Sequence, residues 1–102
     1  MAQEVVWLSQ AIDDLSAIAE YIALDSAFYA SAIVEEIIAS TESLAEFPRI
    51  GRIVPEWDVD AVRERIIHSY RVIYQIQVDR VTILAVIHGA RLLPDDIKGR
   101  SP

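Results

Sequence analysis

Two apolar stripes separated by a two-residue break constrain this chain more than any other feature. Ala11/Ile12, Leu15, Ile18/Ala19 and Ile22 recur at the spacing of one helical face, and Ala30, Ile33/Val34, Ile37/Ile38, Thr41 and Leu44/Ala45 repeat it. Between them Asp25-Ser26 breaks the pattern and supplies a cap for the second helix. Ser9 is the candidate cap of the first helix, which runs to about Ala23, with Asp13 and Asp14 near its first turn where negative charge suits the helix dipole. Phe47-Pro48 ends the second, because proline disfavours a helical residue before it. Helices joined so tightly fold back as an antiparallel hairpin.

What the hairpin packs on follows from the rest of the chain. Residues 4–8 read as a short strand, residues 49–61 as a connecting loop, and residues 62–67, 70–78 and 81–88 as three strands. Helices segregated before a block of closely linked strands predict an α+β fold, β-α-α-β-β-β, with the hairpin on one face of an antiparallel sheet. Residues 70–78 alternate cleanly, Tyr70, Val72, Tyr74, Ile76 and Val78 toward the helices and Arg71, Ile73, Gln75 and Gln77 away from them. With Asp79-Arg80 as a two-residue turn, Ile76 meets Ile83, Tyr74 meets Ala85 and Val72 meets Ile87 on the core face, and Arg71 meets His88 on the other. Arg63 and Arg65 alternate with Glu64 and are expected to join Arg71 and His88, which turns Glu64 awkwardly coreward. Tyr70 and Tyr74 are expected in the core, and His68 at an exposed turn.

Charge is split along the chain. Residues 1–48 carry nine acids and no lysine or arginine, and residues 49–102 carry all nine basic residues, eight of them arginine, with seven acids. The net charge of −7 therefore hides a mildly basic half. There is no cysteine, which excludes disulfides and thiolate metal sites, and no apolar run approaches the ~20 residues of a membrane span. The first residues lack the pattern of a signal peptide, so the expected setting is the cytoplasm, with no membrane partner. Residues 1–93 are expected to form one domain and residues 94–102 a flexible tail.

Trp7-Leu8-Ser9-Gln10-Ala11, Asp14-Leu15, Tyr21-Ile22, Phe47-Pro48, Gly51-Arg52-Ile53-Val54-Pro55-Glu56, Arg63-Glu64, Ser69-Tyr70-Arg71-Val72-Ile73-Tyr74 and Val86-Ile87-His88-Gly89-Ala90-Arg91 together resemble the RelE/ParE superfamily of type II toxin–antitoxin toxins. The resemblance implies a growth-arresting toxin held inactive by a cognate antitoxin, whose complex reaches operator DNA only through the antitoxin. It leaves the target open. RelE-like members cut mRNA on the ribosome, whereas ParE-like members share the fold and poison DNA gyrase.

A metal-independent endoribonuclease needs a base for the 2′-hydroxyl, an acid for the leaving oxygen and cations on the phosphate. Arg71 and His88 resemble an arginine and a histidine of the YoeB branch, and Glu56 stands near the position of its carboxylate. The catalytic reading makes Glu56 the base, His88 the acid and Arg71, with Arg63 or Arg65, the phosphate clamp, with no cofactor and no metal. The binding reading makes Arg63, Arg65, Arg71, His88 and Arg91 a face for target or antitoxin. Gly89 stands where that branch has a tyrosine, and the lysines of RelE itself are absent. The balance favours a protein-binding inhibitor of gyrase over a ribonuclease, and a non-toxic antitoxin-binding protein is a third reading.

Overall fold

In the computed structural model, which describes residues 3–89, 91 and 93–100, the chain forms β1 (Glu4–Trp7), α1 (Ser9–Ala23), α2 (Ala27–Glu42), β2 (Arg52–Ile53), β3 (Val62–Ile67), β4 (Tyr70–Ile76), β5 (Arg80–His88) and α3 (Asp95–Lys98). The five strands make one sheet in the order β1-β5-β4-β3-β2. The α+β class and the helical hairpin stand as expected. The sheet is mixed, because β1 runs parallel to β5, and the expected loop contains a fifth strand, where Arg52 pairs with Glu64 and Ile53 with Arg63. Among the described residues no helix is long and apolar enough to cross a membrane.

The hairpin forms as the stripes dictate. Ser26 accepts a hydrogen bond from the Tyr29 amide at 3.1 Å and caps α2. Ser9 does not cap α1. It is the first helical residue, and Leu8 holds the cap position without a side-chain bond. Ala11, Ile22, Ile33, Ile37 and Leu44 meet Val72, Tyr74, Val81, Ile83 and Val86 in a first core between helices and sheet. A second core lies on the other sheet face, where Val54, Val62, Ile73, Leu84, Ala85 and Ile87 pack with Ile97.

The tail is the first correction. Residues 94–100 are not loose. Ile97 is 2% exposed within the second core, and Arg100 donates to Asp14 Oδ2 at 2.6 Å and to the Leu84 carbonyl at 3.1 Å. The apolar second face needs a cover, and this segment supplies it. Ser101 and Pro102 of the expected tail lie outside the described residues, as do Met1, Ala2, Ala90 and Leu92.

The β4–β5 register is the second correction. The turn is centred on Val78-Asp79, one residue earlier than expected, with the Gln77 amide bonded to the Arg80 carbonyl and Val78 wholly exposed. Ile76 therefore pairs with Val81 and Tyr74 with Ile83. This slip alone preserves which side each residue faces. A bulge at Leu84 then lets Ile73 pair with Ala85, Val72 with Val86, Arg71 with Ile87 and Tyr70 with His88. One extra residue reverses the alternation downstream. Ala85 and Ile87 turn to the second core, and Val86 turns to the helices. The α1 carboxylate of Asp14 accepts from the Val86 amide at 3.1 Å, so Asp14 and Arg100 together satisfy backbone groups that β1 ends too soon to reach.

Candidate functional site

Arg71 and Glu64 are diagonal neighbours on the second sheet face, since Glu64 pairs with Ile73 and Arg71 with Ile66 across β3 and β4. Arg71 Nε donates to Glu64 Oε1 at 2.6 Å. Its Nη1 and Nη2 form a fork on Glu56, each bond 2.8 Å long, and Nη1 also reaches the Arg91 carbonyl at 3.2 Å. The other oxygen of Glu64 accepts from Arg52 Nε at 2.5 Å. The result is an alternating chain, Arg52–Glu64–Arg71–Glu56, with no net charge. Its centre is buried, with Arg71 5% and Glu64 1% exposed.

Glu56 reaches this chain from the turn after β2, where the Trp57 and Asp58 amides bond to the Val54 carbonyl and Asp58 adopts a positive φ of 50°. The Leu93 amide donates to Glu56 Oε2 at 3.1 Å and ties the C-terminal segment to the same carboxylate. The Arg71 hydrogen bonds, aided by backbone amides and opposed by burial, lower the Glu56 pKa from 4.5 to about 2. Glu56 in turn leads the contacts that raise Arg71 further into its charged range.

His88 is not part of this cluster. The bulge places it opposite Tyr70 on the helix side of the sheet, with ring centroids 5.7 Å apart and planes at 81°. There His88 lines an open cleft of about 560 Å³ with Asp14, Ile18, Tyr21, Tyr70 and Arg91. The expected Arg71–His88 pair is therefore corrected: the two residues occupy opposite faces. Arg63 and Arg65 are corrected likewise. They pair with Tyr74 and Val72 and so lie on the helix side. Arg63 donates to Asp60 Oδ1 at 2.9 Å and to the Gly51 carbonyl at 3.0 Å, which turns it to the β2 edge. Glu64 points away from the helical core because Arg52 and Arg71 complete it there.

The structure thus joins Glu56 with Arg71 and separates both from His88. As it stands, the site is a poor acid–base machine. A general base works best with a pKa near the ambient pH, and Glu56 is held far below neutrality by the arginine meant to bind phosphate. Four of the five N–H donors of Arg71 are committed to two carboxylates and a carbonyl. Gly89 offers no side chain beside His88, and a Cβ there would lie 3.1 Å from the Ser69 carbonyl oxygen. Sequence reasoning missed Arg52 and Glu64 as members of the cluster. The signal was the lone acid among arginines on β3, whose awkwardness in the helical core pointed to the opposite face.

Comparison with known proteins matches this architecture. The family model described as the ParE toxin of the type II toxin–antitoxin system parDE matches residues 5–93. The chain is similar to Toxin RelE2 of Caulobacter vibrioides, 34% identical over 93 residues that cover 90% of this chain and 100% of that protein. Among solved structures it resembles a chain of the chromosomal ParDE toxin–antitoxin system of P. aeruginosa, with a TM-score of 0.71 and 21% identity over 85% of this chain and 96% of that one. It also resembles a doubly substituted free form of the E. coli toxin RelE, with a TM-score of 0.67 and 15% identity over 98% of this chain and 94% of that one. The chain therefore belongs to the ParE toxin family, within the RelE/ParE superfamily of type II toxin–antitoxin toxins.

Proposed function

We propose that this toxin acts in the cytoplasm as a non-enzymatic, protein-binding inhibitor of DNA gyrase, neutralised by a cognate antitoxin through which alone the complex reaches operator DNA. The observation that carries this reading is the closed Arg52–Glu64–Arg71–Glu56 chain with His88 on the opposite face. Ribonuclease chemistry needs the carboxylate, the histidine and the guanidinium around one phosphate, and here the carboxylate and guanidinium neutralise each other. The match to a ParE family model points the same way. The test is induced expression with DNA replication and protein synthesis followed in parallel. Replication fails first, and His88→Ala stays toxic. Early loss of protein synthesis, abolished by Glu56→Ala and His88→Ala in folded protein, overturns the proposal.

That opposite result belongs to the second reading, a ribosome-dependent mRNA endoribonuclease. It is favoured by the similarity to Toxin RelE2. It requires Arg71 to exchange Glu56 for phosphate and His88 to reach the same phosphate from the other side of the sheet.

A further inference from the structure

Between α1 and α2 runs an open groove of about 480 Å³, floored by Ala19, Ala23, Ala27 and Ala30 and flanked by Glu20 on one helix and Glu35 on the other. Asp13 stands seven residues before Glu20 and Glu42 seven after Glu35, so each helix carries two carboxylates along one face. The hairpin brings Asp13 and Glu42 to the end of the groove away from the turn. All four acids are exposed and hold no ion pair among the described residues. At the turn end Phe28 is 86% and Leu24 83% exposed. Large apolar side chains clustered so closely mark a contact surface. The alanines between them and the acids let a further helix pack closely, because the distance between helix axes follows the size of the side chains at the contact.

Charge decides what covers this groove. Residues 1–48 contain no lysine or arginine. Of the nine basic residues, Arg65, Arg91 and Lys98 alone hold no ion pair among the described residues. They belong to other surfaces: Arg65 lies on β3, Lys98 on α3, and Arg91 in the cleft it shares with Tyr21 and His88. A partner in the groove therefore meets carboxylates on both flanks. Nucleic acid and an anionic lipid surface are repelled there, and a second copy seated about a two-fold axis opposes carboxylate to carboxylate. What fits is an amphipathic helix of a protein partner. Its apolar stripe lies on the alanines and reaches Leu24 and Phe28. Lysines or arginines one heptad apart flank that stripe, their apolar stems in the groove and their cations on the acids.

We infer that the hairpin groove seats the antitoxin, and that the antitoxin's toxin-binding segment is a basic amphipathic helix. This rests on the neutralisation part of the reading above and adds the surface, the partner's charge and its pattern. On the expected arginine face, Arg71 is already closed by the toxin's own Glu56 and Glu64, so an antitoxin has little to gain from acids there. The same polarity sets specificity. An acidic segment from the antitoxin of another pair is repelled by the four carboxylates, whereas the cognate basic one is attracted.

The test titrates full-length toxin with the antitoxin encoded beside it and follows rescue of growth in parallel. Glu20→Lys/Glu35→Lys and Leu24→Ser/Phe28→Ser replace exposed side chains, and circular dichroism confirms their fold. Each double variant is expected to stop growth as wild type does, to bind the antitoxin at least about tenfold more weakly and to escape neutralisation. Glu20→Gln/Glu35→Gln is expected to fall between, and added salt to weaken wild type more than either charge variant. Arg65→Glu/Arg91→Glu is expected to bind as wild type does. Loss of the antitoxin in that variant with the hairpin variants unaffected overturns the inference, and so does a toxin-binding segment that proves acidic. Self-association of the toxin that the hairpin variants abolish, with antitoxin binding kept, gives the groove to a second copy and also overturns it. Equal affinity in wild type and hairpin variants overturns the inference and leaves neutralisation standing. No antitoxin affinity in wild type overturns both together.

Discussion

Removing the Arg71 charge isolates what the buried ion chain contributes. Arg71→Met keeps most of the aliphatic stem and deletes four hydrogen bonds, three of them to carboxylate oxygens. Glu56 can turn to solvent, since a quarter of its side chain is already exposed, but Glu64 cannot, because its side chain is fully buried. Glu64 keeps only Arg52, whose own side chain is largely exposed. Stripping one partner from a buried pair costs about 3–5 kcal/mol. The surviving Arg52 contact places the expectation at the lower end, roughly 3–4 kcal/mol. At ~5 °C per kcal/mol for a domain of this size, Tm falls by ~15–20 °C. Urea and thermal unfolding followed by circular dichroism measure it. The partner experiment is Arg71→Met/Glu64→Leu, which removes both buried charges and should recover stability to within ~1–2 kcal/mol of wild type. An Arg71→Met loss below ~1 kcal/mol, or a double variant as unstable as the sum of the singles, refutes the reasoning.

Acid titration follows from Glu56. Its folded pKa of about 2 lies below the ordinary 4.5, so its contribution to stability is complete above about pH 5 and is lost as pH falls from 4.5 toward 2. Urea midpoints measured across that window should fall less steeply in Arg71→Met than in wild type. Gly51→Ala should destabilise by ~1–3 kcal/mol, because a Cβ there would lie 2.5 Å from the Glu64 carbonyl oxygen and 2.6 Å from the Tyr74 hydroxyl, neither free to retreat. Tyr74→Phe leaves the Gly51 amide and the Pro48 carbonyl without the hydroxyl that serves both, and ~1–3 kcal/mol in urea unfolding is expected. Ile97→Ala tests the docked C-terminal segment. A loss of ~2–4 kcal/mol marks α3 as part of the second core, and no change refutes that docking.

How much of this was legible in the sequence turns on one residue. The two stripes, the short break at Asp25-Ser26 and the strand blocks fix the α+β order, because period and spacing are local properties. The alternation of β4 was likewise readable, and Tyr70, Val72, Tyr74 and Ile76 all pack toward the helical core. What was not readable is the bulge at Leu84. In the unbroken run of apolar residues from Ile83 to Ile87, either alternation fills a core, and here both faces of the sheet are cored, so hydrophobicity cannot choose between them. The choice is made by groups remote in sequence. Asp14 and Arg100 bind the backbone around the bulge from opposite ends of the chain, and Ile97 gives the second face an apolar lining to pack against. That same residue decides the site. Without the extra residue, Ile87 and His88 exchange faces, and His88 lies on the side of Arg71 and Glu56 where a phosphate could meet all three. With it, Ile87 seals the Arg71 side, the guanidinium turns to Glu56 and Glu64, and His88 opens onto the cleft beside Tyr70 and Tyr21. A bulge in one strand therefore separates His88 from Arg71 and Glu56, and the binding reading proposed above rests on that separation.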